Sequence, residues 1–153
     1  MAGKLSNNVA IITGASAGIG QASARALMQE GCNLVLTARR KERLTQLANE
    51  AKGLGLEAIA VVGDARDEKT AKQCVEKAMK AFGRVDILIN NVGIGNYKNL
   101  VDTSATDYDE MMDANVRSTF LFTRYAVPVM IKQKSGLILM VSSMAVSASA
   151  KTG

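Results

Sequence analysis

Residues 13–20 read Thr-Gly-Ala-Ser-Ala-Gly-Ile-Gly, a glycine-rich stretch that indicates the fold of the chain. It follows Val9–Thr13, an apolar run of strand length, and leads into Ile19–Glu30, where apolar residues recur at the helical period. The first glycine permits a turn, and the other two allow a ligand and the helix to approach closely. Because a helix N-terminus offers unpaired N–H groups and a positive dipole end, the stretch predicts a pyrophosphate-binding turn. A tight turn without a ligand is the alternative interpretation.

Strand-like apolar runs alternate with segments of helical period along the rest of the chain. The predicted strands are Val9–Thr13, Asn33–Thr37, Glu57–Val62, Val85–Asn90 and Leu137–Val141, and the predicted helices are Ile19–Glu30, Lys41–Leu54, Asp67–Phe82 and about Thr106 to Gln133. This order predicts one α/β domain over residues 1–153, a doubly wound, Rossmann-type parallel sheet with helices on both faces. Ligands bind such sheets beyond the carboxyl ends of the strands.

Three finer expectations concern the helices and the loop before the last one. The first helix is expected to carry an apolar stripe of Ile19, Ala22, Ala26 and Leu27. The long helix is expected to begin with a capping box of Thr106 and Asp109, and to kink near Pro128, which lacks a backbone donor. The irregular loop over residues 91–103 is long enough to suggest that it lines a site.

The composition limits the functions that are open to this chain. Its 153 residues carry a net charge of +5 and no His, which excludes a His-based metal site and a Ser–His–Asp triad. Because Lys and Arg are spread out, a solvated basic surface or a phosphorylated cofactor is favoured over nucleic acid. Cys32 and Cys74 share no motif, so we expect both to be buried in the protein core and the protein to reside in a reducing compartment. The chain shows no signal peptide and no apolar run of membrane length, which predicts a cytoplasmic protein.

The residues after the second predicted strand bear on the choice between two cofactors. NAD-binding folds place an acid here for the ribose 2′-OH, whereas NADP-binding folds use an Arg for the 2′-phosphate. Position 38 is Ala, so Arg39, supported by Arg40, is the expected phosphate ligand, and the cofactor is predicted to be NADP(H). Cations at the start of a helix oppose its dipole, so a bound anion would relieve an unfavourable arrangement. A solvated basic turn is the alternative.

Three motifs, each at the end of a predicted strand, resemble the short-chain dehydrogenase/reductase family. They are T-G-x-x-x-G-I-G at residues 13–20, N-N-V-G at residues 90–93, a variant of the family's N-N-A-G, and V-S-S at residues 141–143. The resemblance covers essentially the whole chain. It implies an oxidoreductase of the NADP(H)-preferring type that moves hydride between the nicotinamide and a carbonyl or secondary alcohol. The implied cofactor-binding residues are Thr13, Gly14, Ser16, Gly18, Ile19, Gly20, Arg39, Arg40, Asp64, Ala65, Asn91 and Gly93.

The same resemblance implies individual roles. Ser143 is the implied catalytic serine, with Ser142 as the competing candidate, and Asn115 would hold a water in a proton relay. Without the resemblance, Asn115 is a polar amide on an apolar helix face, which needs a partner there. Asp64 would accept a hydrogen bond from the adenine amino group, although it could instead be an acid near a helix N-terminus.

The family's acid/base pair, a Tyr followed four residues later by Lys, does not occur in this sequence. Tyr97, Tyr108 and Tyr125 lack a Lys at that spacing, and Lys151 lacks the matching Tyr. We therefore expect that the chain is truncated before this segment and before the C-terminal strands, and that it is inactive alone. The family resemblance further implies a homo-oligomer at full length.

Two alternative interpretations stay open. The first is a truncated, catalytically inactive NADP(H)-binding module or partner subunit. The second is another doubly wound fold, such as a methyltransferase or a flavodoxin-like domain, which N-N-V-G and the paired serines disfavour.

Overall fold

The computed structural model describes residues 3–95 and 98–143. In these ranges the strands are β1 (Val9–Thr13), β2 (Asn33–Ala38), β3 (Ala58–Val62), β4 (Ile87–Asn90) and β5 (Leu137–Met140). The α-helices are α1 (Gly18–Gln29), α2 (Lys41–Gly53), α3 (Glu68–Phe82), α4 (Ala105–Met112) and α5 (Ser118–Gln133). A short 3₁₀-helix at Leu100–Asp102 precedes α4, and a short π-helix at Asp113–Arg117 joins α4 to α5. Tyr97 and residues 144–153, which include Lys151, lie outside the described residues.

The five strands form one parallel sheet in the order β3-β2-β1-β4-β5. The chain builds outward from β1 to β3 and then returns past β1 to add β4 and β5. The strand order therefore reverses between β1 and β4, and a crevice opens at such a switch point. The predicted doubly wound sheet is confirmed.

Two apolar cores flank the sheet because successive strand side chains point to opposite faces. In β1, Val9 and Ile11 pack with α3 and α5 on one face, around the fully buried Phe122. Ala10 and Ile12 pack on the other face with α1 and α2, beside Leu44 and other buried side chains. Strands buried on both faces explain why the sequence shows continuous apolar runs there.

The apolar stripe expected on α1 was wrong for three of its four residues, and only Leu27 packs against the core. The buried residues of this helix are Gly20, Ala24 and Met28, whereas Ile19 is 61% exposed and Ala22 and Ala26 are also exposed. The glycine turn sets the rotation of the helix, because Gly20 packs directly on the carbonyl of Gly14. The two alanines are too small to outweigh that contact.

The expected capping box was also wrong by two residues. Ser104 is the N-cap, its hydroxyl accepts from the Asp107 N–H at 3.1 Å, and the Asp107 carboxylate accepts from the Ser104 N–H at 2.9 Å. Ser104 and Asp107 have the same spacing as Thr106 and Asp109, so the pattern alone fits either pair. Further along, α5 continues through Pro128.

Candidate functional site

A cleft of about 890 Å³ lies at the carboxyl ends of β1 to β4, at the switch point of the sheet. The turns that follow these four strands form most of its wall, and Glu110 and Ala114 close one side. The sequence-predicted residues that line it are Gly14, Ser16, Arg39, Arg40, Asp64, Ala65, Asn91 and Gly93. The strand order therefore brings together residues that are up to about 80 positions apart in the chain.

The three glycines of the turn after β1 lie where a side chain would strain the backbone or collide with neighbouring protein atoms. Gly14 and Gly18 have φ of 64° and 53°, in the left-handed region that favours glycine. A Cβ on Gly20 would lie 2.5 Å from the Gly14 carbonyl oxygen and 2.6 Å from Asn91 Nδ2. The helix α1 therefore begins close to the turn, and its first N–H groups, which have no partner within the helix, can bind an anion.

Thr13 and Asn91 tie the ends of β1 and β4 together. The Thr13 hydroxyl accepts from the N–H of Asn91 at 2.9 Å and from that of Val92 at 3.2 Å. In return, Asn91 Nδ2 donates to the Thr13 carbonyl at 3.1 Å. Thr13 is 2% exposed, so its hydroxyl stabilises the turn from inside the protein through these hydrogen bonds.

Arg39 and Arg40 form a cationic corner beside the glycine turn. Arg40 Nε and Nη2 donate to the Ser16 hydroxyl at 3.2 and 3.0 Å, which links the end of β2 to the turn after β1. Arg39 is exposed and lines the cleft, and within residues 3–95 and 98–143 its guanidinium makes no hydrogen bond or salt bridge. The corner therefore offers an anion one uncommitted guanidinium beside a fixed one.

Arg66 is the residue of this site that the sequence analysis missed. Its guanidinium donates to both carboxylate oxygens of Asp64, at 3.0 and 2.7 Å. Hydrogen bonds from the Arg66 side chain hold the pKa of Asp64 below its usual range. Only the Asp-x-Arg spacing could have signalled this contact.

The amide of Asn115 is held by the loop after β4. Its Oδ1 accepts from the Ile94 N–H at 2.8 Å, and its Nδ2 donates to the Ile94 carbonyl at 3.0 Å. Asn115 lies exposed in the π-helix and not on an apolar core face. The hydrogen-bonding partner expected for its amide exists, but this partner is the backbone of the loop. Ser143 is exposed and follows β5 at the carboxyl edge of the sheet. Neither residue is among those that line the cleft.

The described ranges contain neither a candidate metal site nor a candidate membrane span. No group of three or more Cys, Asp and Glu side chains there could hold a metal ion. No helix there is long and apolar enough to cross a bilayer.

The model of the short chain dehydrogenase family matches residues 8–152. The chain belongs to this family. Its members are oxidoreductases that use nicotinamide cofactors and act on small molecules.

Individual relatives agree with this affiliation. Oxidoreductase UcpA of Salmonella typhimurium is 40% identical over 141 residues, which are 92% of this chain and 53% of that protein. The 3-oxoacyl-[acyl-carrier-protein] reductase FabG of Thermotoga maritima is 38% identical over 140 residues, 92% of this chain and 57% of that protein. A crystal structure of a 3-ketoacyl-ACP reductase from Sinorhizobium meliloti superposes with a TM-score of 0.88 at 34% identity, covering 94% of this chain and 57% of that one. The chain spans just over half the length of these short-chain dehydrogenases.

Proposed function

We propose that the protein is an NADP(H)-dependent oxidoreductase that transfers hydride between the nicotinamide and a carbonyl or secondary alcohol. The cationic corner carries the proposal, because Arg39 is uncommitted and Arg40 is fixed to Ser16 where an NAD-binding fold would have an acid. Position 38, the last residue of β2, is Ala. A guanidinium without a protein partner suits the 2′-phosphate that distinguishes NADP from NAD.

The rest of the cleft fits a dinucleotide. The start of α1 would hold the pyrophosphate, because the left-handed Gly18 has open space within 4 Å of a Cβ position. Asp64 and Ala65 would hold the adenine, and Asn91 and Gly93 would lie along a ribose. When bound, the cofactor supplies the hydride chemistry, and the protein supplies orientation and charge.

Two residues are proposed to act on the substrate side. Ser143 would hydrogen-bond the substrate oxygen, and Asn115 would hold a relay water near the loop that it pins. The family's Tyr-x-x-x-Lys pair does not occur in these 153 residues, so proton transfer is assigned to none of them. We further propose a cytoplasmic location, which suits the two buried free cysteines, and a homo-oligomeric natural protein.

The test is the affinity of the protein for NADPH and NADH, measured through the fluorescence of the dihydronicotinamide. NADPH should bind more tightly, and Arg39→Gln should weaken it by roughly tenfold to a hundredfold because a charged hydrogen bond is lost. The affinity for NADH should be unchanged. Lys41→Gln, two positions further along the chain, is the matched control and should change neither affinity. Tighter binding of NADH by the unmodified protein would contradict the proposal.

A further inference from the structure

Arg66 leaves Asp64 with one open acceptor position. Besides the two guanidinium bonds, the Arg66 backbone N–H donates to Asp64 Oδ1 at 2.9 Å. A carboxylate offers about four acceptor positions, two on each oxygen. Oδ1 therefore accepts two hydrogen bonds and Oδ2 accepts one, which leaves one position on Oδ2. The Asp64 side chain is 25% exposed, so a molecule in the cleft can reach it.

The surroundings of Arg66 separate it from the phosphate-binding corner. Its hydrogen bonds to Asp64 raise its pKa most, and the charges of Asp113 and Glu110 add to that effect. The guanidinium is thus paired with the Asp64 carboxylate, and this pairing, with the added negative charges of Asp113 and Glu110, disfavours a phosphate as a further partner. In the described part of the chain Arg39 makes no hydrogen bond or salt bridge, and only its charge acts on Asp64, where it adds to the lowering of the pKa. The cleft therefore contains one arginine suited to an anion and another engaged with a carboxylate.

We propose that Arg66 is a positioning residue, which fixes Asp64 so that the cleft accepts a 6-aminopurine and rejects a 6-oxopurine. The inference rests on the proposed function, which places the adenine of NADP(H) beside Asp64. The amino group of adenine can donate to the open position on Oδ2. Hypoxanthine has a carbonyl oxygen at the same place, and two acceptors would meet without a hydrogen between them.

The rigidity of the carboxylate decides this selectivity. Hypoxanthine also carries an N1–H donor, and a carboxylate that could turn freely would reach it. Two parallel guanidinium bonds fix the plane of the Asp64 carboxylate, because the fork of Arg is itself rigid. Removing the Arg66 guanidinium should therefore increase the affinity for hypoxanthine relative to adenine. If Arg66 only stabilised the fold, its removal would not change this ratio.

The experiment compares NADPH with its deamino analogue, which carries hypoxanthine, by fluorescence titration of the natural full-length protein. The unmodified protein should prefer NADPH by roughly tenfold to a hundredfold, as expected for a hydrogen bond to a charged group. Arg66→Gln should reduce that ratio to below about threefold and leave the preference for NADPH over NADH intact. Asp64→Asn, which places a donor beside the base, should remove or reverse the ratio.

Arg39→Gln is the matched comparison because it should give the opposite pattern. It should lose the preference for NADPH over NADH and keep the preference for adenine over hypoxanthine. If Arg66→Gln keeps the full base preference while NADPH still binds, the inference is overturned and the proposed function stands. If the unmodified protein binds neither NADPH nor its analogue, the proposed function fails and the inference fails with it.

Discussion

Gly20 shows how one residue couples the fold to the site. Its missing side chain lets α1 approach the turn after β1, since a Cβ there would meet backbone at 2.5 Å. Backbone cannot move aside as a flexible side chain can. The same contact brings Asn91 of the β4 end against the turn, and thereby closes the inner wall of the cleft.

Gly20→Ala is therefore expected to lower the free energy of unfolding by about 1–3 kcal/mol through overcrowding. It should also weaken NADPH binding, because the turn must shift. Gly53→Ala is the control, since its added Cβ would meet nothing within 4 Å in the last turn of α2. That change should stabilise the protein by about 0.5–1 kcal/mol, because Ala favours helix. Urea unfolding of both variants measures the difference, and equal values would contradict the account.

At the scale of the element, the start of α4 is set by its capping residues, and two residue pairs in the sequence have the spacing of a capping box. Both reciprocal hydrogen bonds of the Ser104–Asp107 capping box are present, and Lys98 Nζ donates to both Asp107 carboxylate oxygens at 2.8 Å. These bonds fix where the helix begins. The helix start in turn fixes the loop before it and Asn115 after it.

Ser104→Ala should cost about 1 kcal/mol of stability, because the hydroxyl that accepts from the Asp107 N–H is lost. Thr106→Ala should be neutral or slightly stabilising, because Thr106 lies exposed inside the helix and Ala has the higher helix propensity. Thermal unfolding compares the two. The reverse order of stabilities would show that the helix begins at the later pair.

The elements of this fold follow from the sequence more closely than their details do. The apolar run Val9–Thr13 and the helix predicted over Asp67–Phe82 were placed in the correct order and within one residue of the observed bounds. The π-helix was not predicted, and within it Asn115 accepts a hydrogen bond from the Ile94 N–H, a tertiary contact that the local sequence pattern does not show. The Arg66–Asp64 contact was missed for a similar reason, because a side-chain rotamer is chosen by surroundings that spacing does not show.

Across the whole molecule, two buried thiols connect stability to pH. Burial raises the pKa of Cys32 and of Cys74 to about 12 from an ordinary value of 9.0. Both are neutral in the folded protein at neutral pH, and unfolding allows them to ionise above about pH 9. Their contribution is therefore complete below pH 9 and is lost as the pH rises toward 12.

The stability should consequently fall between pH 9 and 11 by up to about 1.4 kcal/mol per pH unit for each thiol. A double variant, Cys32→Ala with Cys74→Ala, should be less stable at pH 7 but should lose stability less steeply over this range. Urea unfolding at several pH values gives both slopes. Parallel slopes would mean that other groups control the alkaline loss.

We propose that NADP(H) binds in the cleft at the switch point, and amide resonances recorded during an NADPH titration test that claim. We expect the shifted resonances to cluster at residues 16–20, 39–40, 64–66 and 91–94, which come from four separate turns. The exposed face of α2 should not respond. Shifts confined to that face, or no shift at saturating NADPH, would contradict the claim.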